Sequence, residues 1–229
     1  MSIYKYFLIF MFYSFLGWLM EVVLTYSSNK KFINRGFLIG PYCPIYGWGV
    51  LLIMFILKRY LDRPIGLFCM AVIICSVLEY LTSYLMEKLF KARWWDYSNK
   101  KYNIEGRICL SYAICFGIGG TLIMYFINPV IIHLIDIIPS IVIKIIAIVL
   151  FIIFIADNIL SYTVMFKFRT TVGNLAQGDN TEEITRMIKD KFKSVSWFNK
   201  RLTEAFPNLK TNINKAKVKH KFLRHELKK

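Results

Sequence analysis

Histidine is scarce in this sequence. Its three copies stand far apart, at His133, His220 and His225. The five cysteines, Cys43, Cys69, Cys75, Cys109 and Cys115, show no metal-ligand spacing. These shortages leave neither a zinc site nor a disulfide framework, and no Ser/His/Asp set presents itself. A nucleotide-binding loop is missing as well. Gly173 to Gly178 has the glycine spacing of one, but Asp179-Asn180 stand where Lys-Ser/Thr are required. The sequence therefore names no metal, no cofactor and no catalytic set. Acids are few too, 14 against 30 Lys and Arg, which leaves a formal charge of +16.

Apolar residues are abundant instead: the chain is 56% hydrophobic and 17% aromatic. They come in long runs, not in the periodic stripes of a soluble domain. A transmembrane helix needs about 20 such residues. The runs predict an all-α polytopic transmembrane helix bundle of about five spans, near residues 4–26, 37–57, 65–90, 108–127 and 141–165. Residues 1–166 would form the membrane domain and 167–229 a basic cytoplasmic tail. The first run is too long for a signal peptide, is interrupted by Glu21 and lacks a small-x-small cleavage site, so it should be retained. The second opens on Gly36-Phe-Leu-Ile-Gly40-Pro41-Tyr-Cys-Pro44-Ile-Tyr-Gly47-Trp-Gly49, a composition no straight helix needs. Broken or re-entrant backbone at membrane depth survives only where protein buries it or it lines a cavity. This segment is thus expected among the other helices. In the fourth run Ala113, Gly117, Gly119 and Gly120 would let helix backbones approach closely, and Asn128-Pro129 is expected to end the helix.

Positive charge is uneven, with 16 Lys/Arg and 6 Asp/Glu in residues 166–229. Beside a span, such a tail points to anionic lipid headgroups, not to nucleic acid. Counting positive charges near span ends places the tail inside together with 27–36 and 91–107. The connection 128–139, which has no Lys or Arg, is then outside. The N-terminus lies outside and the C-terminus is cytoplasmic, with Lys58, Arg59 and Arg63 as the exception to the rule. In the tail, Thr181 can cap a helix with Glu182 and Glu183 in its first turn. Ile184, Ile188, Phe192, Val195, Leu202 and Phe206 recur at helical spacing as far as Pro207, and Leu209, Ile213, Ala216, Leu223 and Leu227 continue the stripe. A basic amphipathic stretch of this type lies on a membrane surface, or packs on other helices or a second subunit.

An acid at the bilayer centre costs roughly 2.5–3.5 kcal/mol, and such residues are functional or paired. Four acids lie within the runs: Glu79 near the midplane, Asp157 in the cytoplasmic half of the fifth span, and Glu21 and Glu87 near the cytoplasmic ends of the first and third. Ser76, Glu79, Ser83 and Glu87 share one helix face and make a polar stripe toward the inner surface. Arg35, Arg93, Asp96, Asn103 and Arg107 lie in the loops expected at the same side. One reading is a cavity for a polar or charged ligand, open to the cytoplasm. The other is a set of Glu–Arg pairs and Glu–Ser hydrogen bonds that fix helix register. Trp94 and Trp95 suit an interfacial belt, and Asp96 near Arg93 suits a surface pair.

Several of these stretches recur together elsewhere. Phe15-Leu-Gly17-Trp18-Leu-Met-Glu21, Asn34-Arg35-Gly36 through Gly49, Glu79-Tyr80, Trp94-Trp95-Asp96-Tyr97-Ser98, Asn103 and Gly106-Arg107 resemble a bacterial membrane family, the ABC-transporter type IV or CmpB-like permeases. The resemblance covers roughly residues 5–130. It implies a permease, a separate ATPase subunit or a homo-oligomer as partner, and a polar site at Glu21, Arg35, Glu79, Trp95, Asp96, Asn103 and Arg107. The ligand-binding set expected here is Glu21, Arg35, Glu79, Asp96, Asn103, Arg107 and Asp157. Three readings remain open: a transport component, a membrane enzyme acting on a lipid headgroup or polyprenyl phosphate with a glutamate as general base, and a non-catalytic scaffold or regulator.

Overall fold

The computed structural model describes residues 1–90, 92–175, 201 and 210–211. Among these, the helices are α1 (Ile3–Asn29), α2 (Pro44–Leu57), α3 (Pro64–Phe90), α4 (Leu110–Leu122), α5 (Asn128–Ile137) and α6 (Ser140–Leu175). Four two-residue strands accompany them: β1 (Ala92–Arg93), β2 (Asn103–Ile104), β3 (Ile108–Cys109) and β4 (Lys210–Thr211). Four helical stretches are long and apolar enough to cross a membrane: Ile3–Ser28, Pro64–Phe90, Leu110–Ile137 and Ser140–Lys167. Their outward faces are apolar. On α6, Ile145, Ile148, Ile152 and Ile159 are all at least half exposed. Inside, Ser14, Glu79, Ser83, Glu87, Asn128, Asp157 and Ser161 are buried. Apolar outside and polar within is the arrangement a bilayer selects, because lipid tails are as apolar as leucine. The chain is a multi-pass membrane protein.

The second predicted span is not one continuous helix, as its composition predicts. At about 1.5 Å per residue, the 14 residues of α2 reach only about 21 Å, short of a hydrocarbon core of about 30 Å. The Cys43 N–H donates to the Ser14 carbonyl at 2.8 Å, halfway along α1. From there α2 runs antiparallel to α1, so that Trp48 meets Phe10 and Phe55 meets Tyr6. The approach is close: a Cβ on Gly47 would lie 2.5 Å from the Phe10 carbonyl oxygen. Pro44 opens α2, where a missing N–H costs nothing.

The fourth crossing differs from expectation at its end. Asn128-Pro129 does not stop the helix. A π-helical segment, Ile123–Ile127, joins α4 to α5, and the Asn128 N–H reaches back to the Ile123 carbonyl. This wider turn rearranges the hydrogen bonds just where proline lacks a donor. The apolar stretch therefore continues to Ile137, and most of the connection expected at 128–139 is helix. The small residues do bring α3 and α4 together. A Cβ on Gly117 would sit 2.5 Å from Val72, and one on Gly120 would sit 2.9 Å from Ala71. Gly119, by contrast, faces open space.

α6 runs parallel to α1, with Phe151 against Phe7 and Phe154 against Phe10. It continues past the expected limit of 165 to Leu175, so Gly173 is helical. One end of the bundle thus collects Lys30–Gly36, the loop from Ala92 to Cys109 and the exit of α6. The other collects the N-terminus, Lys58–Arg63 and the short turn before α6. There Lys5 forms an ion pair with Asp136. The tail helices expected from Thr181 to Leu227 lie outside the described residues.

Candidate functional site

The acids of α1 and α3 meet at one place. Glu79 is 7% exposed, past the middle of α3, and accepts a hydrogen bond from the Tyr97 hydroxyl at 3.1 Å. Glu21 accepts one from the Tyr46 hydroxyl at 2.7 Å, and its other oxygen lies 3.6 Å from Nε of Arg35. The two carboxylates are near enough to feel each other's charge. Glu21, Tyr46, Glu79 and Tyr97 come from four elements, α1, α2, α3 and the loop after α3, and Arg35 joins them from the segment between α1 and α2. Tyr97 reaches it because its loop folds back over the bundle and its ring stacks on Tyr112 at 4.8 Å. Burial holds the Tyr97 hydroxyl above the ordinary phenol range, and the charge of Glu79 and its hydrogen bond add to the effect.

The polar stripe of α3 divides in two. Ser76 is only partly buried, whereas Ser83 and Glu87 are buried with Glu79. Arg107 turns away from Glu79 toward this outer pair. Its Nη1 lies 2.9 Å from Glu87 and 3.4 Å from the Ser83 hydroxyl, while its Nε lies 3.3 Å from Glu105. The guanidinium also covers the rings of Tyr80 and Tyr84, at 5.6 and 5.5 Å. Arg93 joins the same carboxylate, 3.1 Å from Glu87. A buried ion-pair network of this kind fixes the loop against α3.

Asp96 and Asn103 are placed differently. Asp96 accepts from the Ser98 N–H and hydroxyl and lies 3.9 Å from Arg93. Asn103 donates to the carbonyls of Ser98 and Lys100 and accepts from the Gly106 N–H. Gly106 has φ +66°, and a Cβ there would lie 2.6 Å from the Asp96 carboxylate. Both side chains thus shape the loop that delivers Tyr97 and Arg107. Trp94 is not lipid-facing as a belt residue would be. It is 5% exposed, with its ring against Phe37 at 5.7 Å, and the Trp95 indole donates to the Arg107 carbonyl at 3.0 Å.

Asp157 does a third job. Its carboxylate accepts from the N–H groups of Ile39 and Gly40, at 2.9 and 2.7 Å, and from the hydroxyls of Tyr42 and Ser161, at 2.6 and 2.9 Å. Irregular backbone buried in a helix bundle needs such acceptors, and Asp157 serves two of its N–H groups while the Ser14 carbonyl serves a third, that of Cys43. Among the described residues no group of three or more His, Cys, Asp or Glu is placed to hold a metal ion.

Sequence reasoning named Glu21, Arg35 and Glu79 as candidates; Arg35 lies 3.6 Å from Glu21, and Glu21 and Glu79 lie within electrostatic reach of each other. It did not single out Tyr46 and Tyr97 as members. Their only signal was their place within the Gly/Pro-rich and Trp-Trp-Asp-Tyr stretches. Comparison with known proteins gives one finding of substance: the family model described as "Putative ABC-transporter type IV" matches residues 8–162, extending past the stretch recognised by motif into α6. No curated protein and no solved structure matches the chain. With more than half of its length matched, this multi-pass membrane protein belongs to the ABC-transporter type IV family.

Proposed function

We propose that the chain is the membrane-embedded component of a transport system. Its polar ligand, or a coupled proton, enters from the cytoplasmic side and meets Glu21 and Glu79. The observation that carries this reading is Glu79 itself. It is a carboxylate 7% exposed in an apolar helix, with one phenolic hydrogen bond and no cation within ion-pair distance among the described residues. A purely structural acid would be matched like Glu87, which two arginines hold, or like Asp157, which four donors hold. Glu79 keeps acceptor capacity free, at a cost that insertion scales put at roughly 2.5–3.5 kcal/mol for an acid at mid-membrane.

In this reading Arg35 orients Glu21, while Arg107, Asp96 and Asn103 hold the loop that closes over the pair. Asp157 fixes the broken crossing whose end forms the wall. The family description supports a separate ATPase subunit as partner, and the loops at the charged end are where it would bind. Orientation follows the positive charges: loops 27–36 and 91–107 hold eight Lys/Arg against three in 58–63. The test is untargeted solute profiling of cells carrying the wild type or Glu79→Gln at equal membrane abundance. A polar solute should shift in the variant as it does on deletion. Unchanged solutes would overturn the proposal, and a change confined to lipid species would favour the headgroup enzyme.

A further inference from the structure

Among the described residues, Arg201 of the tail reaches the interior. It is 7% exposed, and its Nη2 donates to the Phe37 carbonyl at 3.2 Å. Its Nε and Nη1 are buried and have no acceptor. Asp157 and Cys43 lie within electrostatic reach and only partly offset what burial does to the guanidinium's charge. Asp157 gives no direct contact, because its two oxygens already take Ile39, Gly40, Tyr42 and Ser161. Among the described residues no carboxylate lies within ion-pair distance of Arg201. A buried guanidinium with most of its donors vacant is a costly arrangement unless an anion completes it.

The surroundings have the right sign. Cys43, the residue just before α2, lies within electrostatic reach of both Arg201 and Arg35. Phe37 stacks on Phe90, the last residue of α3, so the position lies beside the end of that helix. The tail is held at that same end a second time, where Lys210–Thr211 pair with Ala92–Arg93 as antiparallel strands.

We propose that Arg201 anchors a binding site for a phosphate group, between the tail and the irregular segment that precedes α2. Phosphate suits the vacancy because it offers several acceptor oxygens to donors that diverge from one planar group. The phosphate belongs either to a phospholipid headgroup or to a free phosphate from the aqueous side. The site is independent of the Glu21–Glu79 reading.

The experiment uses the full-length protein in neutral detergent and follows its thermal midpoint in two arms. One arm adds inorganic phosphate against chloride at matched ionic strength. The other adds phosphatidylglycerol against phosphatidylcholine in mixed micelles. The wild type should show a saturable rise in one arm, which identifies the source. Arg201→Gln should raise the half-saturating concentration at least tenfold, Arg201→Lys should weaken it severalfold, and the exposed Lys30→Gln should leave it unchanged. No rise in either arm, or an equal rise in Arg201→Gln, would overturn the proposal. If Arg201→Gln does not fold, a wild-type response in Arg201→Lys would overturn it equally.

Discussion

Glu79 and Asp157 are both buried acids, yet they are solved differently. Asp157 is saturated by donors from its own fold, whereas Glu79 meets a single phenol. Replacing Asp157 with Ala should therefore cost more stability than replacing Glu79 with Gln. Each donor stranded by the loss of Asp157 costs about 1–3 kcal/mol. Asp157→Ala should lower the thermal midpoint in detergent sharply, while Glu79→Gln should stay near the wild type. Tyr97 gives a spectroscopic check. Its native phenol holds its proton more tightly than the unfolded chain does, so the associated stability is intact below the unfolded value near 10 and is lost as pH rises above it. The tyrosinate absorbance titrations of wild type and Tyr97→Phe should coincide below pH of about 10 and separate only above it. Acids inside apolar runs stand out in a sequence, so Glu21, Glu79 and Asp157 could be named from it. Tyr46, Tyr97 and Arg201 could not. Phenols and cations near span ends look ordinary until loops and tail fold back over the bundle.

Among the elements, the second crossing departs most from a plain helix, and glycine makes it possible. Gly47→Ala would drive a methyl to 2.5 Å from the Phe10 backbone oxygen, which α1 and α2 must separate to admit. Overpacking of this type costs about 1–3 kcal/mol. Gly119→Ala, with nothing within 4 Å, should leave the midpoint unchanged when the two variants are unfolded side by side. The break at 36–43 was readable because glycine and proline cluster there. The continuation of α4 into α5 was not. A proline in a helix interior is an ordinary stop signal, and only the π-helical segment at Ile123–Ile127 lets the chain pass it. The sequence gives no sign of where such a segment will form.

As a whole the molecule places apolar surface outward and gathers its polar groups at one end. That end carries most of the loop charge, which sets the expected orientation. Single cysteines at Lys31, Lys100 and Asp62, in a cysteine-free background, test it with a membrane-impermeant maleimide on intact cells. Only position 62 should label before the membrane is opened, and the reverse pattern would invert the topology. Long apolar runs made the bundle readable from the sequence, but the meeting of four elements at Glu21 and Glu79 depends on contacts between distant segments. The central claim is that these two carboxylates form one ligand site, and a comparison of solute profiles tests it most directly. Cells carrying Glu21→Gln, Glu79→Gln or the exposed Glu105→Gln would be compared at equal membrane abundance. The account predicts that Glu21→Gln and Glu79→Gln shift the same polar solute while Glu105→Gln matches the wild type. Unchanged solutes in both site variants, or shifts in unrelated solutes, would contradict it.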